Sequence, residues 1–369
     1  MTTAPSPRTS AERPQISASP APLALQVQAM RQRLHGLGAN PQHAHRVLRL
    51  WSHGLSQDTG RRRLQDFMPL RVRQALPGLC DEWSRLARLQ ASFPGADGSA
   101  RLLVALHDDQ QVETVLLPRG GVCVSTQLGC AVGCRFCLTG RDGLVRQLGS
   151  AEIVAQVALA RTLQPVRKVV FMGMGEPAHN LEQVIEAITL LGTEGGIAHK
   201  QLVFSTVGDE RVFERLPLGP VKPALAVSLH STRDDRRRWL LPRAPHIDPR
   251  TLVERAEGYA RTTGHPIQYQ WTLLAGVNDG DDELDGIVAL LHGKFAMLNL
   301  IAYNTVPGSP FARTAPARAT AMARQLLACG ILTKVRQSAA QDVEAGCGQL
   351  RARGTTAAGA RVVALHPAG

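Results

Sequence analysis

No run of about 18 apolar residues, the length a helix needs to cross a bilayer, occurs anywhere in the 369 residues. That excludes a helical membrane protein. No apolar signal segment opens the chain either, which predicts a soluble cytoplasmic protein. Lysine is scarce. Lys168, Lys200, Lys222, Lys294 and Lys334 are the only five, so the 42 basic residues are almost all arginine. A formal charge of +12 favours a polyanionic partner, nucleic acid first, because phosphate neutralisation by basic side chains drives such binding. The runs Arg61-Arg62-Arg63 and Arg236-Arg237-Arg238 are the visible candidates. The same residues also read as compositional bias or as solvated faces. Seven cysteines in a chain this long do not make the disulfide framework of a small secreted domain, and free thiols agree with a reducing compartment.

What the cysteines do show is a spacing. Cys130, Cys134 and Cys137 lie in the run GCAVGCRFCLTG as C-x3-C-x2-C. A fully ligated iron–sulfur cluster takes four thiolates, so a three-thiolate loop leaves one iron of a four-iron cluster open. S-adenosylmethionine can fill that position through its amino and carboxylate groups, and one electron then cleaves it to a 5′-deoxyadenosyl radical. Zinc is the alternative. It wants a fourth ligand, usually from a second cysteine pair, and no such pair follows at finger-like distance. Phe136 suits a ring covering the cluster, and equally an ordinary core residue.

Residues 1–22 are rich in Pro, Ser, Thr and Ala without apolar periodicity, and read as a disordered tail. From Leu23 to about Leu89 apolar residues recur at helical spacing, as in Val47, Leu50 and Trp51, then Val72, Ala75 and Leu76. The reading is a small helical accessory domain over 23–95, with 93–99 as a linker or turn. Strand candidates follow at 102–107, 112–117, 121–126, 168–172, 202–206, 224–229, 267–273, 297–302 and 331–336. Helical stretches at 151–163, 181–192, 249–262, 281–292 and 317–328 lie between the later ones. This alternation predicts an α/β fold, a partial or complete (β/α) barrel over 100–352, with a C-terminal tail at 353–369. Chemistry in such barrels gathers at the carboxyl ends of the strands.

Polar motifs fall at those ends. In KVVFMGMGEP, Lys168 to Pro177, a buried strand breaks into glycines: Gly173 and Gly175 permit close approach, and Glu176 can accept a hydrogen bond from a ligand ammonium. Later strands end at Ser205-Thr206, at Ser228-Leu229-His230 and at Tyr303-Asn304. Each alone is an ordinary turn or cap, but together they supply the small polar groups that ribose and carboxylate recognition needs. Cys80 and Cys329 read as small hydrophobes. Cys123 lies just before the cluster loop, and Cys347 sits between Gly346 and Gly348, where a mobile loop would expose its thiol.

These segments resemble the radical S-adenosylmethionine RNA methyltransferases of the RlmN and Cfr family. The resemblance rests on QVETV (111–115), CVSTQLGCAVGCRFC (123–137), GLVRQL (143–148), VFMGMGEPAHNL (170–181), FSTVG (204–208), AVSLH (226–230), GVNDG (276–280), NLIAYNTVPGSPF (299–311) and CGQL (347–350), all in matching order. It implies the radical SAM fold and one [4Fe-4S] cluster on Cys130, Cys134 and Cys137. It implies two S-adenosylmethionine molecules per turnover, bound through Gly175, Glu176, Ser205, Ser228, Leu229, His230 and Asn304. Cys347 matches the methyl-carrying cysteine, Cys123 the thiol that forms a transient disulfide with it, and Glu113 the proton acceptor.

The implied scheme methylates Cys347, converts the S-methyl group to a carbon radical, adds it to carbon 2 or carbon 8 of adenine, and releases the product when Cys123 attacks the Cys347 sulfur. The disulfide is then reduced. The expected substrate is 23S ribosomal RNA, with transfer RNA or a small molecule as the alternative. The expected partners are that RNA and an electron donor such as flavodoxin, and the expected state is a monomer. A non-catalytic, zinc-stabilised RNA-binding protein is the reading from another class.

Overall fold

A computed structural model describes residues 25–352. Both expected tails, 1–22 and 353–369, lie outside the described residues.

Three helices come first: α1 (Val27–Gly36), α2 (Pro41–Ser52) and α3 (Leu70–Ser84). Helix α2 starts where a helix can satisfy its first amides, since the Asn40 side chain accepts from His43 N at 2.9 Å, with Pro41 directly after the cap. Its buried side, Ala44, Val47 and Leu48, packs against a helix of the following domain.

The strands and remaining helices are β1 (Arg88–Pro94), β2 (Ala100–Ala105), β3 (Gln111–Leu117), β4 (Gly121–Cys123), β5 (Gln127–Gly129), β6 (Leu144–Gln147), α4 (Ser150–Leu163), β7 (Lys168–Phe171), α5 (Leu181–Gly192), β8 (Leu202–Thr206), α6 (Glu210–Arg215), β9 (Ala224–Ser228), α7 (Asp234–Leu240), α8 (Pro249–Thr263), β10 (Ile267–Leu273), α9 (Asp281–Leu291), β11 (Ala296–Ala302), α10 (Pro316–Ala328) and β12 (Thr333–Arg336). One ten-stranded sheet runs β1-β2-β3-β4-β7-β8-β9-β10-β11-β12. From β4 onward every neighbouring pair is parallel, and β1 to β4 pair antiparallel. In β10 burial alternates strictly, with Tyr269 and Trp271 among the largest fully buried side chains. The fold is the expected α/β barrel, and it is partial, because β1 and β12 stand at opposite ends of the strand order.

Residues 338–351 span the gap between those ends. Asp97 Oδ2 accepts from Ala340 N at 3.2 Å, Asp342 Oδ2 accepts from Ala96 N at 2.8 Å, and Arg101 Nε donates to the Val343 carbonyl at 2.9 Å. The segment carrying Cys347 therefore closes the open side of the barrel.

Two local readings need correction. Residues 88–94, read partly as helix and partly as linker, form strand β1, and 95–99 is the tight β1–β2 turn. Strand β1 uses an alternation that a helical period hides: Ala91 and Phe93 turn inward against Leu103. Helices α6 and α7 and the β5–β6 hairpin have no counterpart in the sequence reading, since all are short and charged or glycine-flanked.

Candidate active site

Cys130, Cys134 and Cys137 sit in the loop between β5 and β6. Cys130 N donates to Gly143 O at 2.9 Å, and Cys137 N to Cys134 O at 3.0 Å, which folds the loop back on itself. Gly133, at φ 63°, and Gly140 touch so closely that a Cβ on Gly140 would lie 2.7 Å from Gly133 Cα. Burial pushes the Cys130 thiol up to about 12, with Cys137 and Glu176 adding to the rise. Burial also pushes Cys134 well above its ordinary value, and Cys137, Cys130 and Glu176 add to that. Cys130, Cys134 and Cys137 thus lie near one another on one folded loop, with Glu176 beside them, and offer three thiolate donors. That is a soft donor set fit for iron. Among the described residues no three His, Cys, Asp or Glu side chains converge on the position of a single metal ion, so the zinc reading gains nothing from the geometry.

Glu176 follows β7 and is buried. Its carboxylate accepts from Ala178 N at 3.1 Å and from Val207 N at 3.0 Å. Burial nevertheless pushes its carboxyl up to about 7. Gly175, at φ 104°, has to be glycine, since a Cβ there would stand 2.6 Å from the Gln127 side chain. Gln127 Oε1 in turn accepts from Glu176 N at 2.7 Å, fixing the β7 end against β5.

Ser205 and Ser228 lie at the ends of β8 and β9, partly accessible. Leu229 is fully buried, so only its backbone can serve a ligand. His230 takes a left-handed φ of 58°. Its Nδ1 accepts from Thr272 N at 3.0 Å, and its ring meets Phe136 edge-on at 4.9 Å. Burial pushes it down to about 3, so the ring is neutral and its proton sits on Nε2. Phe136 thus braces the cluster loop against the β9 end. Asn304, beyond β11, donates through Nδ2 to Ser338 Oγ at 2.8 Å and to the Cys347 carbonyl at 3.0 Å.

The Cys347 segment lies across the cluster loop, with Leu138 N donating to Gly348 O at 2.7 Å and Thr139 Oγ1 to Leu350 O at 2.7 Å. Cys347 is solvent-accessible yet enclosed by neighbouring groups. Desolvation pushes its thiol up, opposed by a hydrogen bond with Ser338. Cys123, buried on β4, is pushed up by burial and then by the nearby Cys347. Both thiols are free. The structure thus brings Cys123, Cys347 and the three loop cysteines to one barrel mouth.

Glu113 on β3 is 1% exposed, and both of its oxygens are occupied. Oε1 pairs with Arg101 Nη1 at 2.6 Å and Oε2 accepts from Arg351 N at 2.8 Å. Arg101 also stacks on Phe93 with its guanidinium carbon 4.0 Å from the ring centroid. Sequence reasoning missed Arg101, although an arginine inside the apolar run of β2 was a signal that a buried acid faces it. Ser338, between Asn304 and Cys347, offered no signal. Arg101→Met would leave Glu113 as an uncompensated buried charge, so unfolding experiments should show a loss of about 3–5 kcal/mol. A loss under about 1 kcal/mol, the size of a surface pair, would contradict the burial argument.

The family model of the radical SAM superfamily matches residues 124–286. A "Probable RNA methyltransferase" of Leptothrix cholodnii is 64% identical over 343 residues, covering 93% of this chain and 99% of the relative. The chain belongs to the radical SAM RNA methyltransferase family. A second probable RNA methyltransferase, from Pseudomonas aeruginosa PAO1, is 60% identical over 330 residues, 89% of this chain and 95% of its own. Among solved structures, a radical SAM methyltransferase from Sphaerobacter thermophilus superimposes with a TM-score of 0.77 at 31% identity, over 91% of this chain and all of the other. Membership in the radical SAM RNA methyltransferase family implies a [4Fe-4S] cluster and S-adenosylmethionine. No described helix is long and apolar enough to cross a membrane.

Proposed function

We propose that this protein is an RlmN/Cfr-type enzyme that methylates carbon 2 or carbon 8 of an adenine in RNA, with ribosomal RNA as the expected target. One observation carries the reading: two free thiols, Cys123 and Cys347, lie near each other at the barrel mouth, with the Cys347 segment hydrogen-bonded across the three-cysteine loop. A radical enzyme acting by hydrogen abstraction alone has no use for the second pair.

Cys130, Cys134 and Cys137 would hold the cluster, which supplies the electron that opens S-adenosylmethionine to a radical. Gly175 offers bare backbone, and Glu176 accepts from the ligand ammonium. Ser205, Ser228, the Leu229 backbone, His230 and Asn304 line the strand ends around it. Cys347 carries the one-carbon unit to the base, and Cys123 then attacks the Cys347 sulfur: the Cys123–Cys347 disulfide forms as the sulfur–carbon bond breaks, and the released carbon keeps the electron pair and takes up a proton to become the methyl group. Glu113 takes the ring proton once Arg351 N leaves Oε2, which requires residues 343–351 to withdraw. The segment that delivers Cys347 also covers the acceptor. Peptide mass spectrometry of protein isolated anaerobically with S-adenosylmethionine should find Cys347 methylated. Methyl transfer to RNA with Cys347 never modified would overturn the scheme.

RNA affinity is assigned to the helical N-terminal part. Arg61, Arg62 and Arg63 are exposed and form no ion pair among the described residues, and with Arg73 they line a groove. The other arginine run is spent internally: Arg236 pairs with Asp282 and Glu283, Arg238 with Asp234, and Arg237 is buried. Changing Arg61, Arg62 and Arg63 to Gln should weaken RNA binding and flatten its salt dependence by about 0.7 in log–log slope per lost contact to a single strand. Arg238→Gln should leave the slope as it is. Equal slopes for both variants would remove the triplet from the interface.

A further inference from the structure

Arg237, in the middle of α7, is 3% exposed. Its Nη2 donates to two carbonyls, Val207 just beyond β8 and Ser228 at the end of β9, the latter at 3.3 Å. Its Nε has no partner, and no carboxylate forms an ion pair with it among the described residues. A guanidinium taken out of water without a counter-charge is strongly unfavourable, so a counter-charge belongs near it.

The geometry indicates which charge that is. Val207 joins Arg237 to Glu176, since its carbonyl accepts from Arg237 while its amide donates to the Glu176 carboxylate. Helix α7 also carries the cluster loop at its C-terminal end, where Arg135 N donates to Leu240 O at 3.0 Å and Arg135 Nε to Trp239 O at 2.7 Å. Leu240 and Leu241 pack in one apolar cluster with Cys130, Val132 and Cys134. The unpaired cation thus sits between the strand ends and the three cysteines. Burial pushes the Arg237 guanidinium down to about 10, and Cys134 is the foremost of the negative groups that oppose the fall, ahead of Asp234 and Glu176.

We propose that Arg237 is the buried counter-ion of the cluster bound by Cys130, Cys134 and Cys137, and that it raises the reduction potential of that cluster. This rests on the radical SAM reading of the loop. Three thiolates make the bound cluster anionic, and reduction adds one more negative charge. A fixed cation at short range in a low dielectric favours the reduced form over the oxidised one. No proton moves.

The test is a potentiometric titration, followed by electron paramagnetic resonance, of anaerobically reconstituted full-length protein without S-adenosylmethionine. Arg237→Gln should keep its iron and sulfide content and shift the midpoint to lower potential. Arg237→Lys, which keeps the charge and loses the fork, should stay near wild type. If Gln at 237 prevents cluster retention while Lys permits it at the wild-type potential, the charge role stands. An unchanged potential in Arg237→Gln, or loss of the cluster from both variants with the fold intact by circular dichroism, would overturn it. Wild-type protein that takes up no iron would instead sink the reading of the loop itself.

Discussion

Cys347→Ala should abolish methyl transfer to RNA down to the detection limit while leaving iron and sulfide content unchanged. The loss is chemical rather than structural. The segment is held by backbone and by neighbours that the substitution does not touch: Asn304 Nδ2 to the Cys347 carbonyl, Leu138 N to Gly348 O, and Arg351 N to Glu113. Gly346 and Gly348 keep the path open, the first because a Cβ there would lie 2.5 Å from Asn304 Nδ2, the second through its φ of 85°. What disappears is one sulfur, and with it the carrier on which the methyl group is loaded. Turnover at the wild-type rate in this variant would remove Cys347 from the mechanism and with it the distinction from other radical enzymes of this fold.

Cys123→Ala should act at the other end of the cycle and trap the protein covalently on its RNA. Cys123 lies on β4, paired with Val115 on one side and Val170 on the other, and its side chain is buried, so an alanine there trims one atom from a packed strand without unmaking it. The cost in stability is of the order of 1 kcal/mol. The base would still be joined to Cys347, but no thiol would remain to attack the Cys347 sulfur. A slow band on a denaturing gel, sensitive to ribonuclease and missing from the Cys123→Ala/Cys347→Ala double variant, is the expected readout. No adduct in cells or in reconstituted reactions would mean that another group releases the product.

Much of this site could be read from the chain because its parts are local in sequence. The C-x3-C-x2-C spacing needs only a loop, and β7 with its glycines and Glu176 is one strand and its turn. Strands such as 202–206 and 267–273 appear where expected because they are short apolar runs between clear turns. Pairings across long separations were not legible. Arg101 meets Glu113 on the neighbouring strand, and Val343 bonds to Arg101 across 242 residues. These contacts decide where Cys347 sits, yet no period or spacing announces them. The arginine run at 236–238 is the sharpest case. Three identical side chains in a row face an acidic pair, the protein interior and a helix neighbour, because a helix turns each by about 100°.

Nucleoside mass spectrometry on RNA from cells with and without this protein tests the central claim most directly, resolving the two methyladenosines substituted at carbon 2 and at carbon 8. One of the two should vanish when the gene is deleted, return with the wild-type chain and stay absent with Cys347→Ala. Both isomers at unchanged levels in the deleted strain would contradict an adenine-methylating function.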